Sequence, residues 1–179
     1  FTDDGVRPGT LHAAVLFSPL AHAEIQKIET TAADAPGVRG VFTGADWPEI
    51  LIGLYLGDKP PLARGHVRHH GEPVVAIVAD DEASALNALR LVKIEYAPLP
   101  ALGSPREALA PGAPILHPGM ANYARIPDVL PEPGTNVANR TKIRKGDPDR
   151  AFAEADAVVA GEFSFPPGDH VALEPRVAI

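Results

Sequence analysis

One stretch of about 25 residues constrains the fold of this chain more than any other. Residues 73–79 (Pro-Val-Val-Ala-Ile-Val-Ala) are apolar without a break, which predicts a central strand covered on both faces. Asp80 follows as an expected helix N-cap, and apolar residues then recur at helical spacing. Residues 92–96 alternate between apolar and polar, as a half-buried strand does. The stretch therefore predicts a β-α-β unit.

Three further strands are predicted before this unit. Residues 12–17 form a short apolar run that ends at Ser18-Pro19, and residues 23–30 alternate at period two. We expect these two strands to pair with each other. A helical turn over residues 32–35 and a strand over residues 38–43 follow.

The second half of the chain divides at a connector. Ser104-Pro105 predicts the start of a short helix, whereas residues 116–139 are rich in Pro and Gly and have little periodicity. After the connector we predict a strand over residues 142–145, a helix capped by Asp147, and a strand over residues 157–165. The expected domains are 1–115, a mobile, protease-sensitive connector at 116–139, and 140–179.

Composition excludes several classes of function. The net charge of -7 argues against nucleic-acid binding, and the absence of cysteine excludes disulfides, thiolate metal sites and cysteine nucleophiles from these residues. No apolar run is long enough to span a bilayer. With 45% hydrophobic but only 6% aromatic residues, the core is expected to consist of Ala, Val, Leu and Ile, without large ring-lined pockets.

The chain opens on Phe1-Thr2-Asp3 and stops at Val177-Ala178-Ile179, inside an apolar run that is typical of a strand. Strands that stop in this way normally continue into partners that bury them. We therefore expect the chain to be part of a longer polypeptide, and its last segment, from Ala157 onwards, to behave as an edge seeking a partner.

Four phrases in a fixed order resemble the molybdenum-cofactor subunit of the xanthine dehydrogenase/aldehyde oxidase family. They begin at Arg7-Pro8-Gly9-Thr10-Leu11, Ala35-Pro36-Gly37-Val38, Pro61-Leu62-Ala63 and Gly146-Asp147. The third is the most specific, because it runs through Gly71-Glu72-Pro73 and the β-α-β unit to Leu99-Pro100-Ala101. The fourth continues to Glu174-Pro175-Arg176, a form that looks more like bacterial members.

The resemblance implies an α/β hammerhead domain of α+β type, with a mixed sheet and short packed helices. The first elements of a molybdopterin-binding region would follow. It implies an oxidoreductase in which molybdopterin-bound molybdenum hydroxylates a heterocycle or aldehyde with oxygen from water. Iron–sulfur and FAD centres on partner subunits or domains would take the electrons. The cytoplasm is the expected location, with the periplasm left open.

The resemblance also selects candidate site residues, although it implies that the catalytic Glu and the Gly-rich cofactor loops lie beyond Ile179. Gly168, Asp169, His170 and Glu174 stand in the phrase that approaches the cofactor in the family. A Gln of the family is replaced here by Gly168 or Asp169. The other interpretation is structural, with His170 bonded to backbone and Glu174 holding a turn. No catalytic residue and no metal ligand is predicted within the chain.

Two other features are interpreted as structural. His69 and His70 are adjacent, so on a strand they would face opposite ways and could not share a metal ion. Gly71-Glu72-Pro73 is interpreted as the turn that launches the central strand, with contact to a substrate channel as the alternative. A stand-alone binding or assembly module and a different enzyme that reuses the fold are the rival hypotheses for the whole chain.

Overall fold

The computed structural model describes residues 6–166 together with Gly168 and Val171, and these residues fall into two units. The larger unit runs from Gly9 to Arg140, and the smaller one contains the described residues before and after it. The strands of the described chain are β1 (His12–Phe17), β2 (Ala23–Glu29), β3 (Val38–Thr43), β4 (His66–Val67), β5 (Pro73–Ala79) and β6 (Lys93–Pro98). The α-helices are α1 (Glu82–Leu89), α2 (Pro105–Ala108) and α3 (Pro148–Glu154).

The six strands form two antiparallel sheets of three, and the longest apolar run lies in the middle of one of them. In the first sheet β5 is central between β1 and β3, with His12 and Val38 both opposite Ala79. In the second sheet β2 is central between β4 and β6. The predicted central strand is thus confirmed, and the mixed sheet is resolved into two.

Two predicted pairings are wrong. The strands β1 and β2 do not pair, because β1 lies against β5 and β2 lies against β6. The strand β6 does not lie beside β5 either, since the chain that leaves α1 enters the second sheet. Alternating apolar residues show that a strand is half-buried, but they do not identify its partner.

Both sheets contribute to one core, which contains Ala23 and Val67 of the second sheet and Val74, Val75 and Ile77 of the first. The helix α1 packs mainly on β1 and β5 and adds Ala88. The expectation of an aliphatic core is therefore confirmed. Its side chains are small, so close backbone approach is possible, and a Cβ on the buried Gly44 would lie 2.4 Å from the Ala63 carbonyl oxygen.

The helix starts agree with the sequence except at α1. Ser104 and Asp147 cap α2 and α3, each with Pro in the first turn, as predicted. The α1 cap is Asp81 rather than Asp80, and its carboxylate accepts the Ser84 N–H at 2.8 Å. Asp80 instead pairs with Arg39 through two hydrogen bonds of 2.7 and 2.8 Å.

The smaller unit contains α3 but lacks the two strands predicted for it. Residues 142–145 and 157–165 have no strand structure, and these residues are exposed. A short apolar run forms a strand only when a partner supplies the other half of its hydrogen bonds. The rest of the predicted terminal edge, up to Ile179, lies largely outside the described residues. No helix of the described chain is long and apolar enough to cross a membrane.

Candidate functional site

The structure brings none of the four cofactor-proximal candidates together. Gly168 is exposed, and a Cβ built on it would have no heavy atom within 4 Å. Asp169, His170 and Glu174 lie outside the described residues. Their role therefore stays a prediction.

The adjacent histidines have a structural explanation. His69 and His70 are both exposed, and the His69 Nδ1 lies 3.0 Å from the His70 carbonyl oxygen. Within residues 6–166, Gly168 and Val171, no three His, Asp or Glu side chains are close enough to hold a metal ion.

The Gly71-Glu72-Pro73 turn launches β5 as predicted. Gly71 adopts a φ of +79°, a region that side chains other than glycine rarely occupy. The turn is tied to the end of β1, because Ser18 donates its N–H to the Glu72 carbonyl and accepts the Gly71 N–H, both at 2.8 Å. The structure therefore supports the structural interpretation of this turn.

Glu72 gives the turn a polar interior. Its side chain is buried, and Oε2 accepts the Arg68 N–H at 2.5 Å. The Arg68 side chain donates from Nε to the Leu116 carbonyl oxygen at 2.9 Å. A buried acceptor that satisfies a backbone N–H avoids the desolvation cost of leaving that group unpaired. The pair positions the Arg68 side chain at the wall of a cavity.

This cavity, about 320 Å³ in volume, is the candidate functional site of the larger unit. We call it the loop cavity. Its lining is mixed: aromatic rings and prolines make up much of the wall, and acidic and basic side chains stand among them. The lining residues are Gly44, Trp47, Pro48, Glu49, Ile50, Leu51, Asp58, Pro60, Pro61, Leu62, Arg64, Arg68 and Tyr123.

A histidine lies beside the Arg68 side of the cavity. The half-buried His117 ring contacts Tyr123 edge to face, with the ring centroids 5.9 Å apart, and its Nδ1 lies 3.5 Å from the Tyr123 hydroxyl. Burial lowers the pKa of His117 below its usual value, and the nearby Arg68 guanidinium lowers it further. Asp58 and Glu72 act in the opposite direction but more weakly. The ring is therefore held in its neutral form.

The loop cavity was not predicted from the sequence. Residues 47–64 contain several Pro and Gly and have no regular period, so periodicity marks neither helix nor strand there. The available signal was composition, because Trp47 and Tyr55 enclose an apolar stretch in what is otherwise a loop. With its paired charges and apolar wall, the cavity is suited to binding an apolar group with a polar rim.

The described residues do not form a site for molybdopterin. Gly168 has open space around it, and no cluster of metal ligands occurs in the part of the chain that the structure describes. Two small antiparallel sheets with one helix across them and a shared aliphatic core instead define a scaffold domain of α+β class.

Comparison with known proteins specifies this class further. Residues 1–100 match the sequence profile described as "Aldehyde oxidase and xanthine dehydrogenase, a/b hammerhead domain", and residues 129–179 match that of the "Molybdopterin cofactor-binding domain". Because the first match spans more than half of the chain, the chain belongs to the aldehyde oxidase and xanthine dehydrogenase family. The hammerhead fold expected from the resemblance is thereby confirmed.

Individual relatives agree with this assignment. The chain is 36% identical to the 6-hydroxypseudooxynicotine dehydrogenase complex subunit gamma of Paenarthrobacter nicotinovorans, over 100% of this chain and 22% of that protein. It is 32% identical to a probable subunit of the xanthine dehydrogenase of Bacillus subtilis strain 168, over 93% and 21%. The Cu,Mo carbon monoxide dehydrogenase structure is 31% identical, with a TM-score of 0.68 over 88% of this chain and 20% of that one. The chain thus spans about a fifth of the relatives it matches.

Proposed function

We propose that this chain is the N-terminal part of the large subunit of a molybdenum hydroxylase. The observation that carries the proposal is the order of two family matches on one chain, a hammerhead domain followed by the beginning of a molybdopterin-binding domain. Domain bounds of 1–115, 116–139 and 140–179 belong to the same proposal. In it the hammerhead domain supports the enzyme structurally, and the residues that perform the chemistry lie outside the chain.

The proposed reaction is the oxidative hydroxylation of a heterocycle or an aldehyde. Water supplies the oxygen, and each turnover releases two electrons and two protons. Molybdopterin, when bound, would supply the redox-active metal. One relative is named for 6-hydroxypseudooxynicotine and another for xanthine, which supports a heterocyclic substrate. The described residues of this chain hold no reacting group, so their contribution is to shape and support.

The partners and location follow from the same proposal. Two relatives are named as subunits, one of them of a dehydrogenase complex, which supports iron–sulfur and flavin subunits as partners. The proposed location is the cytoplasm. The alternative of a stand-alone binding module predicts no such partners.

Gly168, Asp169, His170 and Glu174 are proposed to lie near the cofactor in the complete subunit. Their phrase falls within the part of the chain that matches the molybdopterin-binding domain, which supports this placement. Gly168 or Asp169 stands where the family has a Gln, so this enzyme would lack that side chain near the metal. Within the chain itself we assign these residues no catalytic step.

The test is to express the complete subunit with its partner subunits and, separately, residues 1–179. We expect stoichiometric molybdenum and dehydrogenase activity in the complete enzyme, and neither in the short chain. In the complete enzyme His170→Ala should lower turnover while the exposed His70→Ala does not. Molybdenum bound to the short chain would show that the site does not lie downstream. A complete protein without molybdenum would favour the stand-alone module.

A further inference from the structure

A single loop exposes the largest concentration of apolar side chains in the larger unit. We call residues 47–56 the apolar loop. Leu54 and Tyr55 at its tip are 82% and 62% exposed, which places two large apolar side chains in water. The other exposed members are Trp47, Ile50, Leu51 and Ile52. Single exposed apolar residues are common on proteins, whereas a contiguous group marks an interaction surface.

The apolar loop is fixed in place by backbone hydrogen bonds. Ile52 and Lys59 exchange N–H···O bonds of 2.7 and 3.2 Å across its base. Beyond the tip, Gly57 donates to the Ala124 carbonyl at 2.7 Å, and Ile126 donates to the Tyr55 carbonyl at 3.1 Å. The exposed tip therefore cannot turn inward and bury itself without breaking these bonds.

The backbone inside the loop is also closely packed. A Cβ on Gly53 would lie 1.8 Å from the Leu56 carbonyl oxygen, so this position accepts only glycine. A loop closed this tightly presents its tip in one orientation. A preorganised surface loses little conformational entropy when a partner covers it.

The apolar loop is continuous with the loop cavity. Trp47, Ile50 and Leu51 belong to both, so a projecting tip and a recess of about 320 Å³ lie on one surface. The rim of the recess carries charges of both signs, with Asp58 and Arg64 among them. An apolar centre within a polar rim is the usual anatomy of a protein interface.

We propose that the apolar loop and the loop cavity are the docking surface for the remainder of the large subunit, the part of the polypeptide that follows residue 179. The proposal rests on the proposed function. The relatives are about five times as long as this chain, so a large partner surface belongs to the same polypeptide. A second copy of the chain is a poorer occupant, because each copy carries a net charge of -7.

The experiment measures whether Leu54 is covered in the complete subunit. A Leu54→Cys variant of the complete subunit is treated with a maleimide, and labelling of the peptide that contains position 54 is followed by mass spectrometry. This peptide has no other cysteine, since residues 1–179 contain none. We expect labelling in the native subunit to be at least about tenfold slower than in the denatured subunit. Leu109→Cys, another exposed apolar position outside the surface, calibrates the method.

A second pair of variants tests the same surface by stability. Leu54→Asp should lower the thermal midpoint of the complete subunit more than Leu109→Asp, because only the former would place a charge in an interface. Native labelling of Leu54→Cys at nearly the denatured rate would overturn the proposal. If this occurred in an active, molybdenum-loaded enzyme, docking alone would have failed. Protection in a subunit that binds no molybdenum would refute the proposed function alone.

Discussion

At the scale of single residues, Tyr96 places a hydroxyl in the interior without satisfying it. The hydroxyl is buried and has no hydrogen-bond partner among the described residues, and burial raises its pKa. The neighbouring Ser18, whose influence on that pKa is smaller, is engaged elsewhere: its Oγ donates to the Leu20 carbonyl at 2.9 Å and accepts the Leu20 N–H at 3.1 Å. The Tyr96 ring therefore contributes packing and its hydroxyl does not.

We predict that Tyr96→Phe leaves the free energy of unfolding unchanged or raises it by up to about 1 kcal/mol, since an unpaired buried polar group is removed. Urea unfolding measures the effect, with the exposed Tyr55→Phe as the matched control. A loss of more than about 1 kcal/mol on Tyr96→Phe would mean that the hydroxyl makes a hydrogen bond in solution.

His117 predicts a pH dependence of stability. Its folded pKa lies below the usual 6.5, mainly because of burial, so the unfolded chain binds the proton more readily than the folded chain. Stability should be fully present above pH 6.5 and should fall as the pH drops from there through the folded pKa. The groups that face the ring are Arg68, Asp58, Glu72 and Tyr123.

Unfolding midpoints measured between pH 8 and pH 5 test this, in about half-unit steps. His117→Gln should flatten the profile in this range, whereas the exposed His66→Gln should leave it as in the unchanged protein. Identical profiles for His117→Gln and the unchanged protein would show that other groups cause any decline.

At the scale of elements, two adjacent aspartates before α1 have different roles. The Asp81 carboxylate caps the helix, accepting both the N–H and the hydroxyl of Ser84 at 2.8 Å. These bonds lower the pKa of Asp81. Asp80 makes an exposed ion pair with Arg39, and exposed pairs contribute little. We therefore expect Asp81→Ala to lower the thermal midpoint more than Asp80→Ala, as measured by circular dichroism. The reverse order would restore Asp80 as the cap.

The elements themselves could be predicted from the sequence where the signal is local. The strand β5 and the helix α1 follow from an unbroken apolar run and from apolar residues at helical spacing with acidic residues before them. The start of α2 follows from Ser104-Pro105. Strand pairing could not be predicted, because it depends on residues about 60 positions apart, such as His12 and Ala79.

The same reasoning explains what could be predicted of the site. The family phrase at residues 168–174 was recognisable because its order is local to the sequence. The loop cavity requires Tyr123 and Arg68 to meet, and nothing local to either residue predicts that contact. Arg68 reaches the segment around Leu116 only because the Glu72 turn holds its backbone.

At the scale of the whole molecule, the position of the domain boundary is open to a protease test. The segment 116–139 has hydrogen bonds to the body of the larger unit, which runs to Arg140: Asn136, for example, accepts the Leu116 N–H at 2.9 Å and donates to the Ala108 carbonyl at 3.1 Å. Residues 141–147 are all exposed and without regular structure.

Trypsin distinguishes the two candidate boundaries, because Arg125 is the one basic residue in 116–139 while Arg140, Lys142, Arg144 and Lys145 cluster beyond it. We predict that the first cuts fall in this cluster and leave a resistant product that ends near Arg140. The masses of the early products identify the cut sites. A first cut at Arg125 would instead support a mobile connector, as its composition suggests.

The central position of β5 has a consequence for how the protein is made. Both neighbours of β5 in the first sheet precede it in the chain, so β1 and β3 leave the ribosome before the strand that joins them exists. From Phe17 to Ala79, synthesis takes roughly 3–12 s at about 5–20 residues per second. During that interval two strands with open edges are exposed to other nascent chains. The earliest part of this protein therefore depends on protection from aggregation until residues 73–79 emerge.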